Sequence, residues 1–281
     1  MELLIFGAGY CGTAVARAAL AAGVAVTATV RGERALPAGV KAVPFDAAEA
    51  AVARATHVLA TAPPDEHGDP VLARYRLAAA PRLRWAGYLS TTGVYGDRGG
   101  GWVDETTAPA PGNARSVRRL AAEREWAALP VAVDLFRVAG IYGPGRSALD
   151  DIRAGTARRV DRPGHAFGRV HRDDIAGAVL AAMHQQRPAG VRVLHLADDL
   201  PAESEAVVTE AARLLGVPPP PLVPFDAAWA GMSPMARSFW AEHRRVASAA
   251  TQEALGYRWR YPDFRAGLAS ILAQERADGA A

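Results

Sequence analysis

The sequence predicts an α/β protein: a doubly wound parallel sheet with a smaller, interleaved carboxy-terminal lobe. Three observations carry this. Short apolar runs alternate with helix-period segments from Leu3 to Phe136. The first run is followed at once by Gly7-Ala8-Gly9-Tyr10-Cys11-Gly12, a turn that opens a helix. The chain has 281 residues, enough for one large sheet domain and an appendage.

Taken in order, residues 3–6 read as the first strand, and an Ala-rich helix follows to about Ala22. Residues 24–30 and 40–43 read as the second and third strands, with a helix over 47–55. A fourth strand at 57–61 ends in Ala62-Pro63-Pro64, and a helix follows over 71–80. Residues 85–90 form the fifth strand, 113–128 a long amphipathic helix, and 131–136 the sixth strand. The loop 91–112 is long, and it leaves the carboxyl end of a central strand, where such sheets bind ligands. After Gly143-Pro144-Gly145 come short helices, a late strand at 191–196, a helix over 203–215 and the run Pro218–Pro221. A terminal helix over 264–274 precedes a tail that frays after Arg276. Residues 1–145 are expected to form the sheet domain, with 166–200 returning to it; 146–165 and 201–281 are expected to form the smaller lobe.

Composition narrows the function classes. Of 32 cationic side chains only Lys41 is a lysine, and they are scattered among 29 acidic ones, for a net charge of +3. No basic stripe suggests a nucleic-acid partner. Residues 13–30 are apolar but contain Arg17 and Gly23, and they read as helix, turn and strand, not as a membrane span. Cys11 is the only cysteine, and no Cys/His group has metal-ligand spacing, so neither a disulfide nor a metal site is expected. With a strand at the very start in place of a secretory signal, the expected compartment is the cytoplasm.

The glycine turn is a G-x-G-x-x-G in its required context. Gly7 permits the tight turn, Gly9 lets the backbone approach a pyrophosphate, and Gly12 allows close helix–strand packing. The amides of Tyr10 and Cys11 at the helix start favour an anionic phosphate. Together these predict a Rossmann dinucleotide site. An NAD site usually places Asp or Glu at the end of the second strand, whereas here Arg31 stands there, with Arg34 nearby. Paired with a 2′-phosphate, Arg31 selects NADP, with NAD the alternative cofactor; a solvated loop arginine is the competing reading. Asp46 is placed either to accept from the adenine amino group or to cap a helix. Thr61, Ala62 and Pro63 are expected to flank the adenosine ribose.

Leu89-Ser90-Thr91-Thr92-Gly93-Val94-Tyr95-Gly96-Asp97, Leu135-Phe136-Arg137 and Ile141-Tyr142-Gly143-Pro144-Gly145-Arg146 complete the pattern begun by the glycine turn. With His171-Arg172-Asp173-Asp174-Ile175-Ala176, Leu255-Gly256-Tyr257 and Tyr261-Pro262, it resembles the extended short-chain dehydrogenase/reductase superfamily, nearest its NAD-dependent epimerase/dehydratase group. The resemblance spans nearly the whole chain. It implies that Thr91 hydrogen-bonds the reacting carbonyl or hydroxyl, with Thr92 the adjacent alternative, and that Val138 and Ile141 contact the nicotinamide. It also implies a small carbonyl, hydroxyl or sugar-type substrate, and related folds often form homodimers.

The sequence departs from the family at the Tyr-x-x-x-Lys pair. Alignment of the helix puts Arg115 at the Tyr position and Arg119 at the Lys position, and no tyrosine lies between Tyr95 and Tyr142. Arg119 can hold the ribose, but an arginine does not exchange protons at ordinary pH. Tyr95 is the first replacement candidate for acid or base, against a packing aromatic; Tyr142 is the weaker one. Arg115, Arg146 and Arg169 are candidates for an anionic substrate. His171 and the Asp173-Asp174 pair read as a helix start, with the aspartates capping. Two readings follow: an NADP-dependent oxidoreductase or epimerase-like enzyme, and a non-catalytic NADP-binding sensor. A methyltransferase, whose sheet and glycine loop are related, is disfavoured by the Val-Tyr-Gly and Tyr-Gly-Pro-Gly elements.

Overall fold

The computed structural model describes residues 1–279. Its strands in chain order are β1 (Glu2–Phe6), β2 (Ala25–Val30), β3 (Lys41–Pro44), β4 (His57–Ala60), β5 (Trp85–Thr91), β6 (Trp102–Val103), β7 (Ala132–Val138), β8 (Gly140–Tyr142), β9 (Arg159–Asp161), β10 (Ala166–Phe167), β11 (Arg169–His171), β12 (Gly190–Leu196), β13 (Ala202–Glu203), β14 (Leu222–Pro224) and β15 (Arg245–Val246). The helices are α1 (Tyr10–Ala21), α2 (Glu49–Arg54), α3 (Pro70–Arg74), α4 (Ala114–Ala127), α5 (Ala148–Arg153), α6 (Arg172–His184), α7 (Ser204–Leu215), α8 (Phe225–Ala230), α9 (Pro234–Trp240), α10 (Ala249–Leu255) and α11 (Phe264–Gly279). The terminal helix thus outruns its expected end, and residues 280 and 281 of the expected frayed tail lie outside the described residues.

Seven strands form one parallel sheet in the order β12-β7-β5-β4-β1-β2-β3. The central strands are apolar on both faces because both are covered: every residue of β7 is buried, as are the first six of β5. One face packs Ile5, Val15, Ala19, Phe136, Val179 and Met183 together, joining α1 and α6 to the sheet. The other packs Phe6, Val58, Tyr88 and Trp126 under α4. The chain order reverses between β1 and β4, the switch point at which doubly wound sheets open a crevice.

Two departures from the sequence reading have clear causes. The helix expected over 71–80 stops at Arg74 because Tyr75 is extended, φ −123° and ψ 131°. Its ring enters the core beside Phe6 and Phe45, and its hydroxyl donates to the Phe45 carbonyl and accepts from Ala48 N–H at 3.1 Å. The loop 91–112 also carries a 3₁₀ turn, Thr92–Tyr95, and β6, which pairs with β15 from the far end of the chain.

Beyond β8 the chain builds small ladders: β8 with β11, β10 with β13, and β9 with β14. Tyr142, Leu149, Val207, Ala211, Phe264 and Leu268 form a separate apolar cluster beneath α5, α7 and α11. The family-like segment His171–Ala176 ties this region down. His171, not an aspartate, caps α6, its Nδ1 accepting from Asp173 N–H at 3.2 Å. Asp174 reaches the carboxy-terminal segment and accepts from the Tyr257 hydroxyl at 2.8 Å and the Arg260 and Tyr261 amides at 2.8 and 3.0 Å.

Candidate functional site

The glycine turn sits at the carboxyl end of β1. Gly7 has φ +101°, a conformation that favours glycine, and the turn is pinned from both neighbouring strands. Thr29 Oγ1 on β2 accepts from Gly7 N–H at 3.2 Å, and Thr61 Oγ1, just past β4, donates to the Gly7 carbonyl at 2.6 Å. A Cβ on Gly12 would collide with that same carbonyl, which is why α1 packs so closely here. Above Gly9, by contrast, nothing lies within 4 Å of the Cβ position. Gly9 caps α1 without a side-chain cap, and no acidic residue occupies the first turn. The helix start is therefore open to an anion.

A groove of about 270 Å³ runs from this turn over β2 and β4, lined by Gly7, Gly9, Thr29, Arg31, Arg34, Phe45, Thr61, Ala62 and Pro63. Arg31 stands in its wall with the guanidinium 4.8 Å from the Phe45 ring centroid. Asp46 is exposed and is not part of the lining; neither does its side chain cap a helix, since it falls within the 3₁₀ turn Phe45–Ala47. Tyr10 turns towards the far side, donating to the Pro144 carbonyl at 3.1 Å beneath the guanidinium groups of Arg146 and Arg172. Burial pushes the Cys11 thiol up to about 11, so it remains a neutral, packed side chain at ordinary pH.

A second opening, of about 260 Å³, lies at the carboxyl ends of β5 and β7. Thr91, Thr92 and Gly93 supply one side, Val138, Ala139 and Gly140 the other, and Arg115 and Ser116 come from the start of α4. Thr91 Oγ1 accepts from Gly93 N–H at 3.1 Å, which leaves its own proton free to donate. Sequence reasoning missed the remaining wall, formed by Phe167, Ser238, Phe239, Glu242, Arg244 and Val246. These residues arrive from more than 70 positions beyond Thr91, and no local pattern marks them. Ile141 lines a neighbouring cavity instead, with Tyr142 and Arg146, and Arg169 lines both.

Tyr95 does not line this opening. It is fully buried. His195 Nδ1 lies 2.7 Å from the Ala247 carbonyl and must donate to it, so in the neutral ring Nε2 accepts from the Tyr95 hydroxyl at 2.5 Å. Burial lowers the His195 pKa, in keeping with the neutral form. Arg137 Nη1 donates to the same hydroxyl at 2.7 Å, while its Nη2 and Nε hold Glu123 at 2.7 and 3.1 Å. Ser90 completes the network by donating to Glu123 at 2.5 Å. Arg119 faces β5, with Nη1 donating to the Leu89 carbonyl at 3.0 Å and the Tyr88 hydroxyl at 3.2 Å. Tyr142 is held in the apolar cluster, and burial pushes its pKa further up. Among the described residues, no cluster of three or more His, Cys, Asp or Glu side chains could hold a metal, and no helix is long and apolar enough to cross a membrane.

No family model matches the chain. A 3-diazoavenalumate denitrifying reductase from a Streptomyces species is 32% identical over 57% of this chain and 54% of its own length. The chain thus spans about half the length of the curated relatives it matches. Over 98% of the chain and 99% of its counterpart, the fold matches a functionally unknown protein from Silicibacter pomeroyi at 40% identity, with a TM-score of 0.88. A candidate NAD-dependent epimerase/dehydratase from Methylobacillus flagellatus matches at 25% identity and TM-score 0.72, over 98% of both chains. Further neighbours, at 19–21% identity, share the fold and are solved with NAD or NADPH bound. Fold and glycine turn agree with these neighbours: the chain has the Rossmann-type fold of NAD-dependent epimerase/dehydratase proteins, and members of that group are among its structural neighbours.

Proposed function

We propose that this protein is an NADP(H)-dependent oxidoreductase or epimerase-like enzyme acting on a small molecule held beside Thr91. The observation that carries this reading is the placement of two openings along one sheet edge. The groove spans the carboxyl ends of β2, β1 and β4, and the cavity begins at the next strand, β5. Neighbouring strands lie about 4.8 Å apart, so an extended dinucleotide laid over the Gly7–Gly12 turn reaches the cavity with its far end.

The open Gly9 turn and the Tyr10 and Cys11 amides suit the pyrophosphate, and Thr61, Ala62 and Pro63 suit the adenosine side. NADP over NAD rests on Arg31, which lines the groove where an NAD site would present a carboxylate. Val138 and Gly140 close the nicotinamide end. A bound nicotinamide supplies or accepts a hydride. Thr91 donates its free proton to a substrate oxygen and orients it, and Arg119 fixes the end of β5 through the Leu89 carbonyl. The reductase named for the Streptomyces relative belongs to the same reaction class.

Neither a tyrosine nor a lysine lines the cavity. That specific observation favours a second reading, a non-catalytic protein that binds NADP(H) and reports its redox state. Titration with NADPH and NADH, followed by a screen of carbonyl substrates for cofactor turnover, separates the two. Turnover that falls about tenfold or more in Thr91→Ala supports the enzyme. Tight NADPH binding without turnover on any substrate supports the sensor.

A further inference from the structure

The cavity beside Thr91 carries an unbalanced charge. Three guanidinium groups and one carboxylate line it: Arg115, Arg169, Arg244 and Glu242. Glu242 is already satisfied, accepting from Arg244 Nη1 at 2.7 Å and from Asn113 Nδ2 at 2.9 Å, so that pair is neutral as a unit. Among the described residues, no carboxylate lies within 4.0 Å of Arg115 or Arg169. The Arg169 guanidinium is held in place by neutral groups. Its Nη1 donates to the carbonyls of Phe167 and Ala202 at 3.0 and 2.7 Å. These contacts fix its direction and leave its charge standing, which is how a preorganised anion receptor is built. The acid that acts on it most is Asp198, where burial pushes the carboxyl up to about 8. The Arg169 guanidinium and the Leu200 and Arg169 amides oppose that shift only in part, and neither carboxyl oxygen completes a hydrogen bond. Neither Asp198 oxygen comes within 4.0 Å of the Arg169 guanidinium, so the two form no ion pair.

Besides the hydroxyls of Thr91, Thr92, Ser116 and Ser238, the lining carries apolar side chains. Phe167 and Phe239 present rings, and Val138 and Val246 fill between them. Arg115 lies over the Phe239 ring, 5.0 Å from its centroid, so a cation and an aromatic wall face the opening together. At about 260 Å³ the space is below the usual 300–1,000 Å³ of pockets for larger organic ligands.

The geometry points to a small carboxylate with a planar, conjugated or aryl body as the substrate, its carboxylate directed to Arg115 and Arg169 and its body lying against Phe167 and Phe239. This rests on the reading of the cavity as the substrate site.

The test uses the full chain in the presence of saturating NADP⁺, with trans-cinnamate, its neutral amide, phenyl phosphate and UDP-glucose titrated by calorimetry. Cinnamate is expected to bind at least about tenfold more tightly than the amide, and Arg169→Met to remove that preference. Arg115→Leu, at an exposed position, is expected to weaken cinnamate by a smaller factor while NADP⁺ affinity stays unchanged. Equal binding of acid and amide overturns the proposal, as does tighter binding of phenyl phosphate or UDP-glucose, or indifference to both variants. A chain that binds cinnamate with this preference but takes no NADP⁺ supports the carboxylate site and overturns the cofactor reading. NADP⁺ binding without the preference overturns the carboxylate site alone.

Discussion

Arg137 donates to the Tyr95 hydroxyl at 2.7 Å inside a buried network that also holds Glu123, Ser90 and His195. The tyrosine that follows the Thr91 turn is thereby a structural group: its proton is committed to His195, and its oxygen to a guanidinium.

Tyr95→Phe is expected to leave Arg137 one acceptor short and to cost about 1–3 kcal/mol of stability. Glu123→Ala strands the buried Arg137 charge and is expected to cost more, about 3–5 kcal/mol. Denaturant unfolding measures both. Turnover per folded molecule should be unchanged in Tyr95→Phe; a large fall in kcat with stability intact would return Tyr95 to the chemistry.

The second and third glycines of the turn should fail in different ways. Gly12→Ala drives a Cβ into the Gly7 carbonyl, an overpacking cost of about 1–3 kcal/mol, seen as a lower Tm without cofactor. Gly9→Ala has open space around its Cβ, so Tm should hold. NADP⁺ affinity should nonetheless fall by about tenfold or more, because that space is where the pyrophosphate approaches. Equal affinity for Gly9→Ala and the parent chain would remove the pyrophosphate from this turn.

Arg31→Ala tests cofactor choice. Loss of a charge-assisted pair with the 2′-phosphate is expected to weaken NADPH by about ten- to a hundredfold and to leave NADH unchanged. Parallel losses for both cofactors would assign Arg31 to the groove wall through its contact with Phe45.

Asp198 should impose a pH slope on stability. Its folded pKa, about 8, lies above the ordinary carboxylate range, so between about pH 4 and about pH 8 the folded state binds the extra proton. This group's contribution to stability is complete below that window and is lost as pH rises through it. Asp198→Asn is expected to flatten the slope, read as unfolding free energies at about pH 5 and about pH 8. An unchanged slope would mean that the carboxyl is ionised in the folded state at neutral pH.

The sheet was legible in the sequence because its signals are local. Each strand is a short apolar run closed by turn residues, and the glycine turn announces itself through the sterics of three positions and the strand before it. The departure from the Tyr-Lys pair was equally plain, since a chain whose only lysine is Lys41 cannot carry that motif on α4. The helix broken at Tyr75 was not legible: its backbone follows a hydroxyl that pairs with Phe45 and Ala48, nearly 30 residues earlier.

The candidate site divides in the same way. Gly7, Gly9 and Thr61 meet because β1 and β4 are neighbours in any sheet of this winding, and Thr91 and Val138 meet because β5 and β7 are. The first set followed from strand order, whereas Thr91 and Val138 were singled out by the family resemblance. That Tyr95 turns inward to Arg137, that Glu242 neutralises Arg244, and that Phe239 comes to lie under Arg115 was decided only by the tertiary structure. Charge balance in a cavity depends on which side chains are brought within a few ångströms of one another, and spacing along the chain does not encode those distances.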